Sequence, residues 1–245
     1  NVKEHVTIYN PMEVRDVKKE PGRLTVYAAC KKVRHRGDTL NEPLITVEYF
    51  SPASDVIGIR MYHHKGGIAE KPVFPLNIET AHNIDVFNKE NEAGLSSGQL
   101  SVRIQKNEWA VDFLWRGKRI TGNGYKNPGY IIDRPSGRTY MREQLDLDVG
   151  ELVYGLGERF TPFVKNGQTV DIWNEDGGTS SEIAYKNIPF YITNKGYGVF
   201  VNNPGPVSYE IASENVSKAQ FSVPGESLEY FIIGGDTLKD VLNKY

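Results

Sequence analysis

The chain has 245 residues, of which 39% are hydrophobic and 24% charged, a composition typical of a globular protein with room for one large β domain. Its net charge of −2, from 29 basic and 31 acidic residues, excludes the basic field that binds phosphates, so no nucleic-acid partner is expected. No run of about 18 apolar residues is present to cross a bilayer, so no membrane partner is expected either.

The only cysteine, Cys30, excludes an intrachain disulfide and favours a reducing, cytoplasmic compartment, where we expect it to be a buried thiol. The sequence does not begin with Met, so it leaves open whether a leader was removed in front of Asn1. A basic run follows at residues 31–36. It has no interleaved aromatic residues to stack on bases, and we expect a solvated strand edge there.

The first strand candidates are residues 44–50 and 56–62, where apolar and polar positions alternate. His63 and His64 come directly afterwards. Adjacent strand residues point to opposite sides of a sheet, so these two side chains do not meet on one metal ion. We expect no metal site and no cofactor in this chain.

Residues 101–121 predict a three-stranded meander with short turns at 106–108 and 116–118. Val102 and Ile104 share one face of its first strand, and Val111, Phe113 and Trp115 share one face of the second. Further along, Asp146 and Asp148 alternate with apolar residues. We expect them on one solvated face of a strand, not as a catalytic pair.

The segment Tyr154-Gly-Leu-Gly-Glu-Arg-Phe160 predicts a structured loop. Its two glycines, which flank Leu156, allow positive φ or the close approach of another backbone. Glu158 and Arg159 could resemble catalytic groups. We expect them instead to fix the loop, through an ion pair or through backbone contacts.

The segment Trp173-Asn-Glu-Asp-Gly-Gly178 predicts a contact loop, since an aromatic ring, an amide and a carboxylate can stack on a sugar and bind its hydroxyls. Asp176 could accept such hydrogen bonds, or it could stabilise an Asp-Gly turn. Trp173 could offer a stacking face. Because it follows Val170 and Ile172 in a strand-like stretch, we favour a core position for it.

The remaining elements are a hairpin, two strands and one helix. Residues 190–193 and 197–201 predict a hairpin, because Asn194 and Gly196 suit its turn, and residues 207–211 and 228–233 predict further strands. Asp236 can cap a helix with one apolar face at Leu238, Val241, Leu242 and Tyr245. The helix has no glycine cap, and we expect its apolar face to pack against material outside this chain. The pattern as a whole predicts an all-β fold.

Several motifs in a fixed order make the chain similar to glycoside hydrolase family 31 and its bacterial α-xylosidase branch. They are residues 141–145, 154–160, 166–169, 173–178, 184–191, 194–199 and 221–230, with a weaker likeness at 64–67 and 74–77. The resemblance implies a large β-sandwich, similar to the galactose mutarotase-like fold, over residues 1–235. Residues 236–245 would begin the helix that connects it to a (β/α)8 barrel outside this chain.

The same resemblance implies a retaining parent enzyme that removes terminal α-linked xylose or glucose. Family members take both catalytic aspartates from the barrel, so we expect no catalytic residue here. The expected substrate contacts are Asp176, Glu175 and Trp173. Many relatives have arginine where this chain has Glu175, and the reversed charge bears on which sugar or leaving group is contacted.

Two other functions stay open on the sequence. One is a free-standing carbohydrate-binding module, which needs an aromatic platform within the chain. The other is a sugar mutarotase, which needs a converging histidine and glutamate, and none of the five histidines forms a recognisable pair with a glutamate. The expected partners are an α-xyloside or α-glucoside substrate and the chain's own catalytic barrel, with a homo-oligomer also possible.

Overall fold

The computed structural model describes residues 4–40, 42–67, 74–78, 82–174 and 186–245. Within these residues it contains nineteen β-strands and one α-helix, besides two short 3-10 helices at Arg36–Thr39 and Lys65–Gly67. The strands are β1 (Val6–Tyr9), β2 (Glu13–Glu20), β3 (Arg23–Ala29), β4 (Leu44–Ala53), β5 (Val56–Tyr62), β6 (Ile84–Asn88), β7 (Glu92–Ser97), β8 (Leu100–Gln105), β9 (Ala110–Trp115), β10 (Lys118–Gly124), β11 (Gly129–Asp133), β12 (Arg138–Asp146), β13 (Val153–Gly155), β14 (Gln168–Ile172), β15 (Phe190–Thr193), β16 (Tyr197–Val201), β17 (Val207–Ile211), β18 (Lys218–Pro224) and β19 (Ser227–Gly234). The helix, α1, is Leu238–Lys244.

One layer is an eight-stranded sheet in the order β13-β15-β16-β19-β5-β4-β3-β2. All of its pairings are antiparallel. The β15–β16 hairpin has the predicted bounds and turns through Gly196, whose φ of +88° lies in the region that glycine adopts at low cost. Loops at the ends of its strands contain two residues of the site described below, Arg159 after β13 and Asn187 before β15.

The second layer consists of two sheets side by side. The six-stranded sheet has the order β1-β11-β12-β18-β17-β14, and the five-stranded sheet has the order β10-β9-β8-β7-β6. The predicted meander is confirmed as β8, β9 and β10. The two sheets meet where β10 contacts β12, and there the hydroxyl of Thr121 donates a 2.9 Å hydrogen bond to the carbonyl oxygen of Asp146.

The core lies between the two layers. On β5, for example, Ile57, Ile59 and Met61 alternate with residues that face away, and all three are buried in one contiguous cluster. That cluster collects inward-facing residues from all three sheets, including the fully buried rings of Tyr49, Tyr191, Tyr197, Tyr209, Tyr230, Phe113 and Phe221. The all-β fold and the β-sandwich predicted from the sequence are confirmed.

The helix α1 lies on the outer face of the eight-stranded sheet, where it contacts β15, β16 and β19. Its N-cap is Thr237 and not Asp236 as predicted, since the Thr237 hydroxyl accepts a hydrogen bond from the Asp240 amide. The Asp240 carboxylate accepts in turn from the Thr237 amide, which completes a capping box. Asp236 instead holds Arg116, 120 positions away in sequence.

Three local predictions need correction. Asp146 and Asp148 do not share a strand face, because β12 ends at Asp146 and Asp148 lies in the following loop. The basic run at residues 31–36 forms a loop and the start of a 3-10 helix, not a strand edge. Cys30 is only half-buried, although burial, with Glu42 nearby, raises the pKa of its thiol to about 12.

Candidate functional site

The predicted contact loop leaves the sandwich at Trp173, directly after β14 at the edge of the six-stranded sheet. Val170 and Ile172 point into the core, whereas Asp171 is exposed on the other side of the strand. Trp173 continues this alternation and is 54% exposed, so the expected core position is wrong. Its indole is available for stacking. The alternation was itself a signal of that exposure in the sequence.

Asn187 ties the two ends of the contact loop together. Its side-chain amide donates to the carbonyl oxygen of Trp173 and to Oδ1 of Asn174, both at 2.8 Å. Its backbone amide donates to the same Oδ1 at 3.3 Å. Glu175 and Asp176, the other two predicted contact residues, lie outside the described residues.

The segment from Tyr154 to Phe160 runs alongside the returning end of that loop. Leu156 donates its amide to the carbonyl oxygen of Phe190 at 2.9 Å, and Glu158 donates to that of Lys186 at 3.0 Å. Gly157 has a φ of +89°, and a Cβ added to it would overlap the Lys186 carbonyl oxygen. Glycine is therefore required here for both of the reasons expected from the sequence. Leu156 also has a positive φ, of +66°, and is held there by complete burial.

Arg159 joins this segment to both stems of the contact loop. Its guanidinium donates to the carbonyl oxygen of Leu156 at 3.1 Å, to that of Asp171 at 2.9 Å, and to Oδ1 of Asn187. Glu158 pairs with Lys186 at 3.0 Å, at an exposed position. The structure thus supports the expected loop-fixing role, through backbone contacts for Arg159 and with Lys186, not Arg159, as the ion-pair partner of Glu158.

Among the described residues, two hollows border Trp173. The larger, of about 330 Å³, also includes the side chains of Phe74, Asn174, Asn187 and Asn203. The smaller, of about 190 Å³, lies toward Tyr140 and β17. An indole face beside amide groups can stack on a sugar ring and hydrogen-bond its hydroxyls, which makes this the candidate contact site.

Glu143 has a strongly raised pKa, but it lies away from this site and does not indicate catalysis. Burial raises the pKa of Glu143 on β12 to about 7, and the residue lies in the core between the layers. Its carboxylate accepts hydrogen bonds from Asn123 and Tyr230, so its polar atoms are used within the fold. A perturbed acid in a cleft would have indicated an active site. Among the described residues, this one is structural.

The structure does form a histidine–glutamate pair that sequence reasoning missed. Nδ1 of His63 lies 3.2 Å from Oε2 of Glu226, and the other carboxylate oxygen accepts from the Tyr130 hydroxyl at 3.0 Å. The His63 ring stacks on Tyr130 with centroids 4.3 Å apart. Because the acid and base contact each other and not the two sides of a cleft, the pair does not have the arrangement that a mutarotase needs.

Neither a metal site nor a membrane span is found in the part of the chain that the structure describes. No group of three or more His, Cys, Asp or Glu residues there could hold a metal ion. None of its helices combines the length and apolar character needed to span a bilayer.

Comparisons with known proteins point to one family. Residues 45–210 match the model of the glycosyl hydrolase 31 N-terminal galactose mutarotase-like domain. The chain is 44% identical to an alpha-xylosidase of Emericella nidulans over 86% of this chain and 30% of that protein. It is 42% identical to an alpha-xylosidase of Lactiplantibacillus pentosus over 99% of this chain and 32% of that protein. The chain therefore spans about a third of the length of these relatives.

The fold is also found in a solved structure. The glucose complex of a family 31 dextranase of Flavobacterium johnsoniae superposes with a TM-score of 0.77, at 18% identity, over 96% of this chain and 28% of that one. At this identity the likeness concerns the fold alone.

Proposed function

The chain belongs to glycoside hydrolase family 31 as its N-terminal galactose mutarotase-like domain, and from this premise we propose that it forms one wall of the sugar site of a longer enzyme. That enzyme would be a retaining α-glycosidase, similar to α-xylosidases, which hydrolyses terminal α-linked xylose or glucose. Two relatives at 42% and 44% identity are named alpha-xylosidases, which supports this substrate class. In this proposal the chain supplies no catalytic residue.

The exposure of Trp173 carries the proposal for a sugar contact. Exposure of 54% of Trp173 to water is unfavourable, because most of its side chain is apolar. Trp173 lies at the stem of the loop that contains Asp176. Asn187 and Arg159 hold the two stems of this loop together. Fixed stems suit a loop that must meet a substrate held by another part of the protein.

Asp176 is proposed to accept hydrogen bonds from sugar hydroxyls, and Glu175 to lie near the leaving group. A charge-assisted hydrogen bond to a hydroxyl in a partly dry site contributes about 1.5 to 3 kcal/mol. The Asp-Gly turn remains the alternative role for Asp176. Kinetics distinguish the two, because a turn residue far from substrate would affect stability more than turnover.

We expect Asp176→Ala in the full-length protein to lower kcat/KM for an aryl α-xyloside roughly 10-fold to 100-fold, equivalent to about 1.4 to 2.7 kcal/mol. Trp173→Ala should lower it roughly fivefold, through the loss of about 1 kcal/mol of stacking. The matched control is Tyr125→Ala, since Tyr125 is 50% exposed but borders neither hollow beside Trp173. Unchanged kinetics in both site variants would remove the contact role.

A free-standing carbohydrate-binding module is the rival function, and an exposed Trp173 would also suit it. Titration of the 245-residue chain with xylose and xyloglucan oligosaccharides separates the two. Saturable binding below about 1 mM, equivalent to more than about 4 kcal/mol, would favour the module. We expect no such binding and no hydrolysis by the chain alone, because the second wall and the catalytic aspartates would be missing. A polarimetric assay on α-glucose tests the mutarotase.

The remaining parts of the proposal concern location and assembly. We propose residues 1–235 as the domain and 236–245 as the start of the connection to the catalytic barrel. A cytoplasmic location is proposed from the lone Cys30 and would be tested by cell fractionation. A homo-oligomer of the full-length protein would be detected by light scattering.

A further inference from the structure

The outer face of the six-stranded sheet is polar, and Trp173 lies at its edge. On β12, β18, β17 and β14, residues that point away from the core alternate with buried ones. The register between the strands brings one outward residue from each into a row across the sheet: Arg142, Ser222, Ser208 and Asp171. Tyr140 precedes Arg142 by two residues and Trp173 follows Asp171 by two, so an aromatic ring stands at each end of the row, on the same side of it.

A trough lies between these two rings. It is the smaller hollow beside Trp173, of about 190 Å³, and Ser208 and Ser222 line it between the rings. Neighbouring strands are about 4.8 Å apart, so the three spacings from β12 to β14 place the two ends of the trough about 14 Å apart. Because the serine side chains are small, the trough has room for a ligand between Tyr140 and Trp173.

The face carries hydrogen-bonding groups that are not used within the fold. Neither the Ser208 hydroxyl nor the Ser222 hydroxyl forms a hydrogen bond among the described residues. Nε of Arg142 and Oε2 of Glu210 are shielded from solvent and have no hydrogen-bond partner there either. This set contains donors, acceptors and groups that do both, which suits sugar hydroxyls, since each of them donates and accepts. Unpaired polar groups gathered in one place need an explanation, and a bound ligand supplies one.

The charges of the face favour an uncharged ligand. Burial and the neighbouring Glu214 raise the pKa of Glu210, and Arg142 opposes them. Beyond this point the face is closed, because the Asp146 carboxylate pairs with Arg119 and with Lys218. The part of the face that the structure describes contains no group of unpaired cations for a phosphate or sulfate, and no broad apolar area for a protein surface.

Trp173 connects this face to the contact loop. The indole lines both the trough and the larger hollow, of about 330 Å³, which includes Asn174 and Asn187 at the two stems of the loop. A chain of sugars that is held at the loop can therefore continue over Trp173 onto the outer face of the sheet.

We propose that the outer face of the six-stranded sheet binds the main chain of an uncharged oligosaccharide substrate, beyond the sugar that is removed. This rests on the proposed function. Tyr140 stacks on one sugar ring, Ser208 and Ser222 bind hydroxyls in the trough, and Arg142 and Glu210 bind those of the following sugar. Aromatic rings beside a few placed polar groups give both affinity and orientation. The face takes no part in the chemistry and acts on the choice between short and long substrates.

Two substrates of different length test this face in the full-length protein. An aryl α-xyloside has no main chain, whereas a xyloglucan oligosaccharide carries its α-linked xylose on a glucan chain that can reach the face. Tyr140→Ala removes the stacking ring, and Ser222→Leu fills the trough. We expect KM for the oligosaccharide to rise about fivefold in Tyr140→Ala and at least about tenfold in Ser222→Leu. Turnover of the oligosaccharide and both constants for the aryl α-xyloside should stay unchanged.

Tyr125→Ala and Ser101→Leu are the matched controls. Tyr125 is 50% exposed and lies outside the trough, and Ser101 is a half-buried, outward-facing position on β8 in the five-stranded sheet. Neither control should change KM for either substrate. An unchanged KM for the oligosaccharide in both face variants would overturn the proposal. An equal rise of KM for both substrates would also overturn it. A lower thermal midpoint with unchanged KM would do the same, by showing that another part of the polypeptide covers the face.

Binding measured without turnover separates this proposal from the proposed function. Titration calorimetry of the full-length protein with the xyloglucan oligosaccharide gives Kd if the protein hydrolyses neither substrate. Binding that Ser222→Leu weakens at least about tenfold, and that Ser101→Leu leaves unchanged, would then keep the face and refute the glycosidase. Hydrolysis of the aryl α-xyloside with the same oligosaccharide KM in all variants would keep the glycosidase and refute the face.

Discussion

Replacing Glu143 by Gln should change how the stability of this chain depends on pH. Glu143 is 2% exposed, between the two layers of the sandwich. Its Oε2 accepts hydrogen bonds from Asn123 at 3.0 Å and Tyr230 at 2.9 Å, and Oε1 accepts one from the Gln144 amide at 2.8 Å. Burial raises the pKa from 4.5 to about 7 despite the Gln144 and Tyr230 donors, which favour the charged form.

The sign of the effect follows from the raised pKa. Between pH 4.5 and about pH 7 the folded chain keeps the Glu143 proton while the unfolded chain loses it. The contribution of this group to stability is therefore fully present below pH 4.5 and is lost as the pH rises to about 7. The rise of the Glu143 pKa from 4.5 to about 7 corresponds in full to about 3 kcal/mol, since a tenfold change in proton affinity is about 1.4 kcal/mol. Glutamine is neutral throughout and removes this dependence.

Urea unfolding at about pH 5 and about pH 8 measures the difference. We expect wild type to lose about 2 to 3 kcal/mol relative to Glu143→Gln between the two conditions, because part of the contribution is already lost at about pH 5. The quantity compared is the change in the free energy of unfolding between the two pH values. Any pH-independent loss of stability caused by the new amide group therefore cancels. Glu108→Gln is the matched control, because the Glu108 side chain is 83% exposed, and it should follow wild type at each pH. A difference between wild type and Glu143→Gln that stays constant with pH would refute the reasoning.

The remaining predictions concern stability and use the same unfolding assay. Gly157→Ala should lower the free energy of unfolding by about 2 to 4 kcal/mol, since its φ is +89° and the added Cβ overlaps a backbone oxygen. Gly150→Ala, with a φ of +74° and open space, should cost only about 1 kcal/mol, and equal losses would contradict the overlap. Tyr209→Phe should change stability by less than about 0.5 kcal/mol, because its buried hydroxyl has no hydrogen-bond partner among the described residues. Tyr230→Phe should cost about 1 to 3 kcal/mol by removing a donor to Glu143, and an equal loss at Tyr209 would mean that water holds that hydroxyl.

The regular strands were predictable because their cause is local. Alternation places Val102 and Ile104 on one face whatever the rest of the chain does, and the 190–201 hairpin follows from its Asn and Gly turn residues. The sequence also predicted that glycine at position 157 allows a positive φ or the close approach of another backbone. Its partner, the carbonyl oxygen of Lys186, was not, because that contact joins residues far apart in the chain.

Two features were not predicted because they depend on contacts between residues far apart in the chain. Asp236 suits an N-cap by residue type, but Arg116 and Trp115 bind its carboxylate from 120 and 121 positions away. The local signal for Thr237 is present in the sequence, since Asp240 follows three residues later and completes a capping box. For Trp173, residue type favours the core and strand alternation favours the surface, and the structure follows the alternation. His63 and Glu226 meet across 163 positions, and no periodic pattern reports such a contact.

Arg159 links the segment from Tyr154 to Phe160 to both stems of the contact loop. Leu156 adopts a positive φ that a non-glycine residue adopts only when its surroundings compel it. That strained turn presents its carbonyl oxygen to Arg159, whose guanidinium also holds Asp171 and Asn187 at the two stems of the contact loop. Because a guanidinium donates in a rigid fork, it fixes the positions of these acceptors relative to one another. The charge of Arg159, which resembles a catalytic group in the sequence, therefore holds the two stems of the contact loop together.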